Sequence, residues 1–378
     1  MAAERIYWLA WSQVPGIGPV LIKRLQQQFG SLAIAWNAPA KDLVQVEGLG
    51  RTSVEALAAK RQQIHPEAFF TEHLKTNPHF WTPADPEYPR LLLEIPNPPP
   101  VLYYRGTVHS AENQGSKPTV GIVGTREPTE YGKRWTRRLS RLLAQRGFTV
   151  VSGMAQGIDT EAHRGCLEAG GRTIAALGTG VDLVYPPRNR SLYDDILQQG
   201  LVVSEYPAGT QPNRINFPQR NRIIAGWSRA ILVMEAPTQS GALITAHMAN
   251  DFGRDVYVLP GRLDDPQSAG CLGLLSKGAQ AIQNEGYLME VLGAMPQLDV
   301  PEQLSLFETP ESPPQATPDL SPELAKVFQA LTLEPMGLDQ IVEQLQIDTG
   351  AVLSALSQLE LIDLVTGLPG LRYQRNPS

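Results

Sequence analysis

The chain has 378 residues, of which 42% are hydrophobic and 19% charged, with a formal net charge of −6. That length holds two or three domains and excludes one small one, and no apolar run approaches the ~20 residues of a membrane span. The negative balance excludes a surface sticky for polyanions throughout, so any nucleic-acid site has to be a local basic patch. The N-terminal stretch MAAERIYWLAWSQVPG lacks the basic start and long apolar core of a signal peptide, so a cytoplasmic protein is expected. Two cysteines, Cys166 and Cys271, make neither a disulfide framework nor a zinc cluster, and His163 with Cys166 has no second ligand pair. No metal and no cofactor are expected.

In chain order, residues 1–75 read as short helices punctuated by two similar turns, VPGIGPVLIKRL and VEGLGRTSVEAL. Each runs apolar, x, Gly, apolar, Gly and enters a helix with apolar residues such as Val20, Leu21 and Leu25 at helical spacing. The pattern resembles a pair of helix-hairpin-helix units in a helical, SAM-like domain. In such units glycines let the backbone approach a phosphate, with Lys23, Arg24 and Arg51 in support. The alternative is that Gly16, Gly18, Gly48 and Gly50 only make tight turns.

The proline-rich stretch 76–112 cannot be helical and ends in a strand over 101–104. Short β-branched runs at 119–123, 148–152, 173–177, 201–205, 230–234 and 255–259 then alternate with helical patterns. That alternation predicts an α/β fold, a Rossmann-like parallel sheet with helices on both faces, spanning a domain over 76–294. Residues 295–320, rich in Pro, Glu, Gln and Ser, read as a flexible linker. Beyond it, helical patterns at 324–333, 338–345 and 349–359, followed by LIDLVTGLPGLRYQR, predict a C-terminal winged-helix domain over 321–378. Its second and third helices are poor in Lys and Arg, which points to an accessory or protein-contacting module rather than a DNA reader.

The chemistry gathers in loops that follow strands. GIVGTREPTEYGKR, residues 121–134, is a glycine loop whose amides, with Gly124 and Thr125, are expected to meet an anion at a helix start. It lacks the Gly-Lys-Ser/Thr of a Walker loop and the Gly-x-Gly-x-x-Gly of dinucleotide binders. Residues 117–146 carry eight Lys or Arg against Glu127 and Glu130, and residues 210–230 carry Arg214, Arg220, Arg222 and Arg229 with no acid. Several of the first set, Arg137, Arg138 and Arg141 among them, fit a solvated helix face, whereas Arg126 sits in the loop itself. SGMAQGIDTEAH with Ser152 and Gly153, GTGVDLVYPPRNR with Arg188 and Arg190, and EAPTQSGALITA with Ser240 and Gly241 converge on the same sheet edge. Adjacent anion-binding loops suit a repeating phosphodiester better than one small ligand.

The segments GTR, SGMAQGIDTEAH, TIAALGTGVDLVYP, SEYPAGTQPNRINFPQRNRIIAGWS and SGALITAHMANDFGRDVYVLPG, in this order, resemble the DNA-processing protein A family, DprA or Smf, across 76–290. The resemblance implies a homodimeric single-stranded DNA-binding protein that protects incoming DNA and loads the RecA recombinase in natural transformation, without a cofactor and without catalysis. It implies phosphate contacts at Arg126, Arg188, Arg220 and Arg222, with Arg190 and Asn221 beside them, and a Phe217 that either stacks on a base or packs in the core. By the same analogy the apolar surplus of AGCLGLLSKGAQAI, with Leu272, Leu274 and Leu275, is the expected dimer surface.

In the linker, QLSLF places Gln303, Leu304, Leu306 and Phe307 in the pattern of a peptide that docks on the replicative sliding clamp. The alternative is a linker turn lying back on the main domain. The rival to DNA binding is a nucleotide-processing, phosphoribohydrolase-like enzyme using Glu205 or Asp159, but APTQSGALITA lacks the glycine pair and the glutamate of that motif.

Overall fold

The computed structural model describes residues 2–293, 321–332, 335–362, 364–368 and 370–376. The expected linker and its candidate clamp residues Gln303, Leu304, Leu306 and Phe307 lie outside them. Two compact units divide the chain, Met1–Glu302 and Gln303–Ser378.

The first unit opens with helices α1 (Ala2–Ser12), α2 (Pro19–Phe29), α3 (Leu32–Asn37), α4 (Ala40–Leu43), α5 (Arg51–Arg61) and α6 (Pro66–Thr76). The two glycine turns are structural repeats: Ile17 N donates to Val14 O and Leu49 N to Val46 O, at 3.1 and 3.0 Å. Gly16 and Gly48 take φ of +82° and +91°, a backbone that other residues resist. Gly18 and Gly50, by contrast, cap α2 and α5 in ordinary extended backbone, with open space where a side chain would begin. The helices close on Trp8, Trp11, Ile22, Leu25 and Trp36, with the Trp11 and Trp36 rings edge to face at 5.0 Å.

Strands β1 (Phe80–Trp81), β2 (Leu102–Gly106), β3 (Thr119–Val123), β4 (Thr149–Ser152), β5 (Thr173–Leu177), β6 (Leu201–Ser204), β7 (Ala230–Val233), β8 (Asp255–Val258) and β9 (Gln280–Ala281) form one sheet in the order β1-β2-β6-β5-β4-β3-β7-β8-β9. The run from β6 to β9 is parallel, with Val120 opposite Val150 on one side and Ala230 on the other. Every residue of β3 is buried, as a strand covered on both faces requires. Helices α7 (Arg90–Leu93), α8 (Ser110–Gln114), α9 (Glu130–Gln145), α10 (Ile158–Glu168), α11 (Arg190–Gln199), α12 (Asn216–Trp227), α13 (Gly241–Asp251), α14 (Ala269–Leu275) and α15 (Glu285–Gly293) complete the unit. Leu139, Leu143 and Ala162 cover one face, and Ile224, Trp227 and Ala246 the other. The Rossmann-like expectation holds.

Two features differ from the sequence reading. The proline-rich segment contributes β1 and β2 to the same sheet in antiparallel sense, Tyr103 pairing with Ser204, and against the expectation that it cannot be helical it also forms short helices at Arg90–Leu93 and from Ser110. Residues 1–75 are joined to the sheet by packing: Leu9 of α1 shares a cluster with Phe80, Tyr103, Leu177 and Val202, and Arg5 pairs with Asp85 at 3.4 Å. Of the expected dimer-surface residues, Leu274 is buried in the chain's own core, whereas Leu275, which packs against that core, and Leu272 are each half-buried.

The second unit holds α16 (Pro322–Ala330), β10 (Met336–Gly337), α17 (Leu338–Leu345), α18 (Thr349–Leu361), β11 (Val365–Leu368) and β12 (Arg372–Arg375), with strand order β10-β12-β11. Ser321 caps α16 and Asp348 caps α18, the latter accepting from Gly350 N at 2.9 Å. Ile341, Val352, Leu356, Leu359 and Val365 make its core, so the winged helix is formed as expected. Among the described residues no helix is long and apolar enough to cross a membrane.

Candidate nucleic-acid interface

Strand order reverses at β3: β4, β5 and β6 follow on one side, whereas β7 and β8 lie on the other. Loops leaving β3 and β7 therefore part company and open a crevice beyond the carboxyl ends of the strands. A cavity of about 620 Å³ occupies it, lined by Gly124, Thr125 and Arg126 after β3, by Asp159, by Phe217, Arg220 and Asn221 of α12, and by Ser240 and Gly241 at the start of α13. Eight of the expected site residues thus meet, drawn from segments more than a hundred positions apart. Tyr185 and Arg214 join them.

The glycine loop does not present its helix start to a ligand. Glu235, buried just beyond β7, accepts from Thr129 N at 2.9 Å and from the Thr129 hydroxyl at 2.6 Å, while its main-chain oxygen accepts from Thr125 N at 2.7 Å. A Cβ on Gly132 would fall 2.3 Å from the Glu235 carboxylate. The positive end of α9 is therefore already satisfied by an internal anion, which corrects the expectation that its amides meet an external one. Gly124 serves close packing instead, since a Cβ there would lie 2.5 Å from Ile158 and 2.9 Å from Glu235 O.

What the loop does present is Arg126. It is exposed, its guanidinium lies 5.8 Å from the Phe217 ring centre, and among the described residues no carboxylate pairs with it. Phe217 is half-buried: a Cβ on Gly178 would touch it at 2.8 Å, and the Tyr185 ring lies 5.4 Å away with a 34° tilt. One part of the ring is packed and the other lines the cavity. Ser240 caps α13 by accepting from Ala242 N at 3.2 Å, and Asn221 donates to Gly241 O at 3.3 Å, which ties α12 to the opposite wall.

Arg220 belongs to the floor. Only 4% of it is exposed, and it donates to Gly153 O at 2.6 Å and also to Ala176 O, pinning the ends of β4 and β5. Burial pushes its guanidinium down to about 10, with Asp159 pulling the other way, and burial likewise pushes the Asp159 carboxyl up against the pull of Arg220. Gly153 is required there because a Cβ would sit 2.4 Å from the Arg220 guanidinium.

Five expected residues, Ser152, Gly153, Arg188, Arg190 and Arg222, do not line the groove. Arg222 is buried, bidentate to Glu205 at 2.5 and 2.6 Å, and donates to Asn97 O at 3.0 Å. Ser152 is buried and its hydroxyl donates to Ile122 O at 2.6 Å. Arg190 pairs with Asp194 at 3.7 Å and stands over Tyr193. Arg188 lines a neighbouring cleft that also includes Arg126. On the basic helix α9, Arg138 pairs with Glu285, Arg141 with Glu168, and Arg137 with both Glu161 and Glu168, while Arg134 stands over the Tyr131 ring. Sequence reasoning did not select Tyr185, Arg214 or Glu235. Arg214 had a signal, the acid-free run 210–230, but Glu235 had none, since its partners are set by the sheet.

Comparison with known proteins agrees with this architecture. Residues 79–293 match the family model for DNA recombination-mediator protein A, and residues 311–370 that for the DprA winged helix domain. The chain is 50% identical to Protein Smf of Synechocystis sp. over 99% of both chains, and 35% identical to DNA processing protein DprA of Bacillus subtilis over 68% of this chain and 88% of that one. The structure of DNA processing protein A from Streptococcus pneumoniae superimposes with a TM-score of 0.66 at 32% identity, covering 75% of this chain and 97% of that one. DNA processing protein A from Helicobacter pylori, whose structural description concerns its single-stranded DNA binding mode, gives a TM-score of 0.51 at 32% identity over 56% of this chain and 95% of that one. With the sheet, the switch-point loops and the winged helix all accounted for by one set of relatives, this chain belongs to the DNA processing protein A (DprA/Smf) family.

Proposed function

We propose that this protein binds single-stranded DNA in the switch-point groove. Arg126 and Arg214 contact phosphates, Phe217 with Tyr185 forms the aromatic platform, and Arg220 with Asp159 forms a rigid floor. The observation that carries this reading is an open cavity lined by a pair of rings and by two exposed arginines that have no carboxylate partner among the described residues. Arginines that track a backbone beside stacking rings make a sequence-tolerant single-strand site. The family setting extends the reading: a cytoplasmic homodimer that protects incoming DNA and loads RecA in natural transformation, with residues 1–75 as a helix-hairpin-helix module, 295–320 as a linker and 303–307 as a sliding-clamp contact.

Binding rather than catalysis suits the carboxylates. Of the two carboxylates that a phosphoribohydrolase-like reaction could use, Glu205 has both oxygens engaged by Arg222, and Asp159 accepts from Ala155 N at 3.2 Å beside the Arg220 charge.

Fluorescence anisotropy with a labelled oligothymidylate across a salt series tests the site. Arg126→Ala and Arg214→Ala are the variants to compare, because Arg220 holds main-chain carbonyls and its loss confounds folding with binding. Each variant is expected to weaken binding and to make the slope of log affinity against log salt shallower by about 0.7, the contribution of one single-strand phosphate. Unchanged affinity and slope in both would sink the site. Leu306→Ala with Phe307→Ala is expected to abolish capture by the sliding clamp while leaving DNA affinity intact.

A further inference from the structure

An acid stands among the arginines of the switch-point groove. The lining of its cavity includes Arg126, Arg214 and Arg220 and a single carboxylate, Asp159. Facing a polyanion, a carboxylate works against binding unless the strand brings hydrogen-bond donors to it.

The position of Asp159 is fixed from several sides. It lies in the first turn of α10, 7% exposed, and accepts from Ala155 N at 3.2 Å. The Thr160 hydroxyl donates to Ala155 O at 2.7 Å, and the buried Asn189 amide donates to Met154 O at 2.9 Å and to the Thr160 hydroxyl at 3.0 Å. Gly157, at φ +85°, lets the loop after β3 lie directly on this turn, where a Cβ would meet Thr125 O at 2.4 Å. Ile158 N closes the junction by donating to Thr125 O at 3.1 Å.

The acid is less well satisfied than the other buried carboxylates. Glu112 meets Arg172 at 2.9 Å and the Thr149 hydroxyl at 2.5 Å, and Glu235 meets the amide and hydroxyl of Thr129. Asp159 forms no ion pair among the described residues, because Arg220 gives its guanidinium to Gly153 O and Ala176 O. Burial raises its carboxyl by more than Arg220, Ala155, Ser152 and Gly153 together lower it. A carboxylate has about four acceptor sites, so room remains for donors that arrive with a ligand.

Within a DNA strand the hydrogen donors lie on base edges. Guanine alone places two side by side, N1–H and N2–H, which match the two oxygens of one carboxylate. Thymine N3–H lies between two carbonyls, and the amino groups of adenine and cytosine each adjoin a ring acceptor. Phe217 lines the same cavity, and a base stacked on its open part carries its Watson–Crick edge into the pocket.

We propose that Asp159 is a base-reading residue, giving a sequence-tolerant groove one position that prefers guanine. The inference rests on the groove being the single-strand site. Its test is anisotropy with the full-length protein and an oligothymidylate of about 12 nucleotides, in which one central residue is left as thymine or replaced by guanine, hypoxanthine, adenine or cytosine. Wild type is expected to bind the guanine strand about fivefold or more tighter than the all-thymine strand, the lower end of one bidentate base contact. Hypoxanthine, which keeps N1–H and lacks the 2-amino group, should fall between them. In Asp159→Asn the ratio of guanine to thymine affinity should drop towards one, whichever way the absolute affinities move, with the thermal midpoint measured alongside. The five-strand comparison on wild type stands even where that variant fails to fold. Equal wild-type affinities for all five strands, with Arg126→Ala impaired, would overturn the guanine reading and keep the groove. Preference for another base, hypoxanthine equal to guanine, or a guanine ratio unchanged in a folded Asp159→Asn would also overturn it. No wild-type binding to any strand would overturn the groove reading as well.

Discussion

Individual residues fix how the crevice is held open. Glu235 binds both ends of the segment that carries Arg126, through Thr125 N on one side and Thr129 on the other. Glu235→Ala is expected to weaken DNA binding through Arg126, so that in the Arg126→Ala background it causes little further loss. A double-mutant cycle read by anisotropy should give a coupling of about 0.5–3 kcal/mol. Strict additivity would mean Glu235 acts elsewhere. His163 carries a second residue-scale consequence. The Thr173 hydroxyl donates to Val150 O at 2.8 Å, so His163 Nδ1, 2.7 Å from it, is the nitrogen that bears hydrogen, and the buried Nε2 has no hydrogen-bond partner among the described residues. Burial holds this imidazole down to about 3 from an ordinary 6.5, with the Arg220 charge adding to the effect. The unfolded chain takes up a proton near 6.5 that the folded chain refuses until about 3. Stability from this residue is therefore intact above 6.5 and lost as pH falls, at up to about 1.4 kcal/mol per pH unit. Urea midpoints at successive pH values should fall less steeply on the acid side in His163→Gln than in wild type, and parallel curves would contradict this.

At the scale of elements, the sequence was a good guide where a strand is covered on both faces. The runs at 119–123 and 173–177 coincide with β3 and β5 because an apolar β-branched stretch of that length has few other ways to be buried. It was a poor guide at sheet edges: β1 and β9 are two residues each, and a pair that short has no periodicity to read. The helices of the winged unit were legible from their apolar spacing and caps. Helix α18, TGAVLSALSQLEL, carries no Lys or Arg, and Arg375 is stacked over the Phe328 ring at 4.1 Å. A recognition helix without cations lacks the Lys and Arg contacts that give phosphate binding its salt dependence. Removal of residues 321–378 is thus expected to leave single-strand affinity and its salt slope unchanged, and a slope shallower by one phosphate or more would show that the unit touches DNA.

At the scale of the first unit, the front helices and the sheet share a core, since Leu9 is fully buried among Phe80, Tyr103, Leu177 and Val202. Leu9→Ala is expected to cost about 2–5 kcal/mol and to lower a single unfolding transition of that unit, whereas a separate helical domain would give two transitions with only one shifted. The sequence by itself determined the alternation that makes the parallel sheet, the two glycine turns and the winged helix, because each is written in local periodicity and in residues close along the chain. Only the tertiary structure decided which of the arginines are free. Arg222 meets Glu205 and Arg138 meets Glu285, whereas Arg126, Arg164, Arg188 and Arg214 meet no carboxylate among the described residues. Charge pairing depends on a few ångströms of separation between segments far apart in the chain, and the packing of the sheet sets that distance.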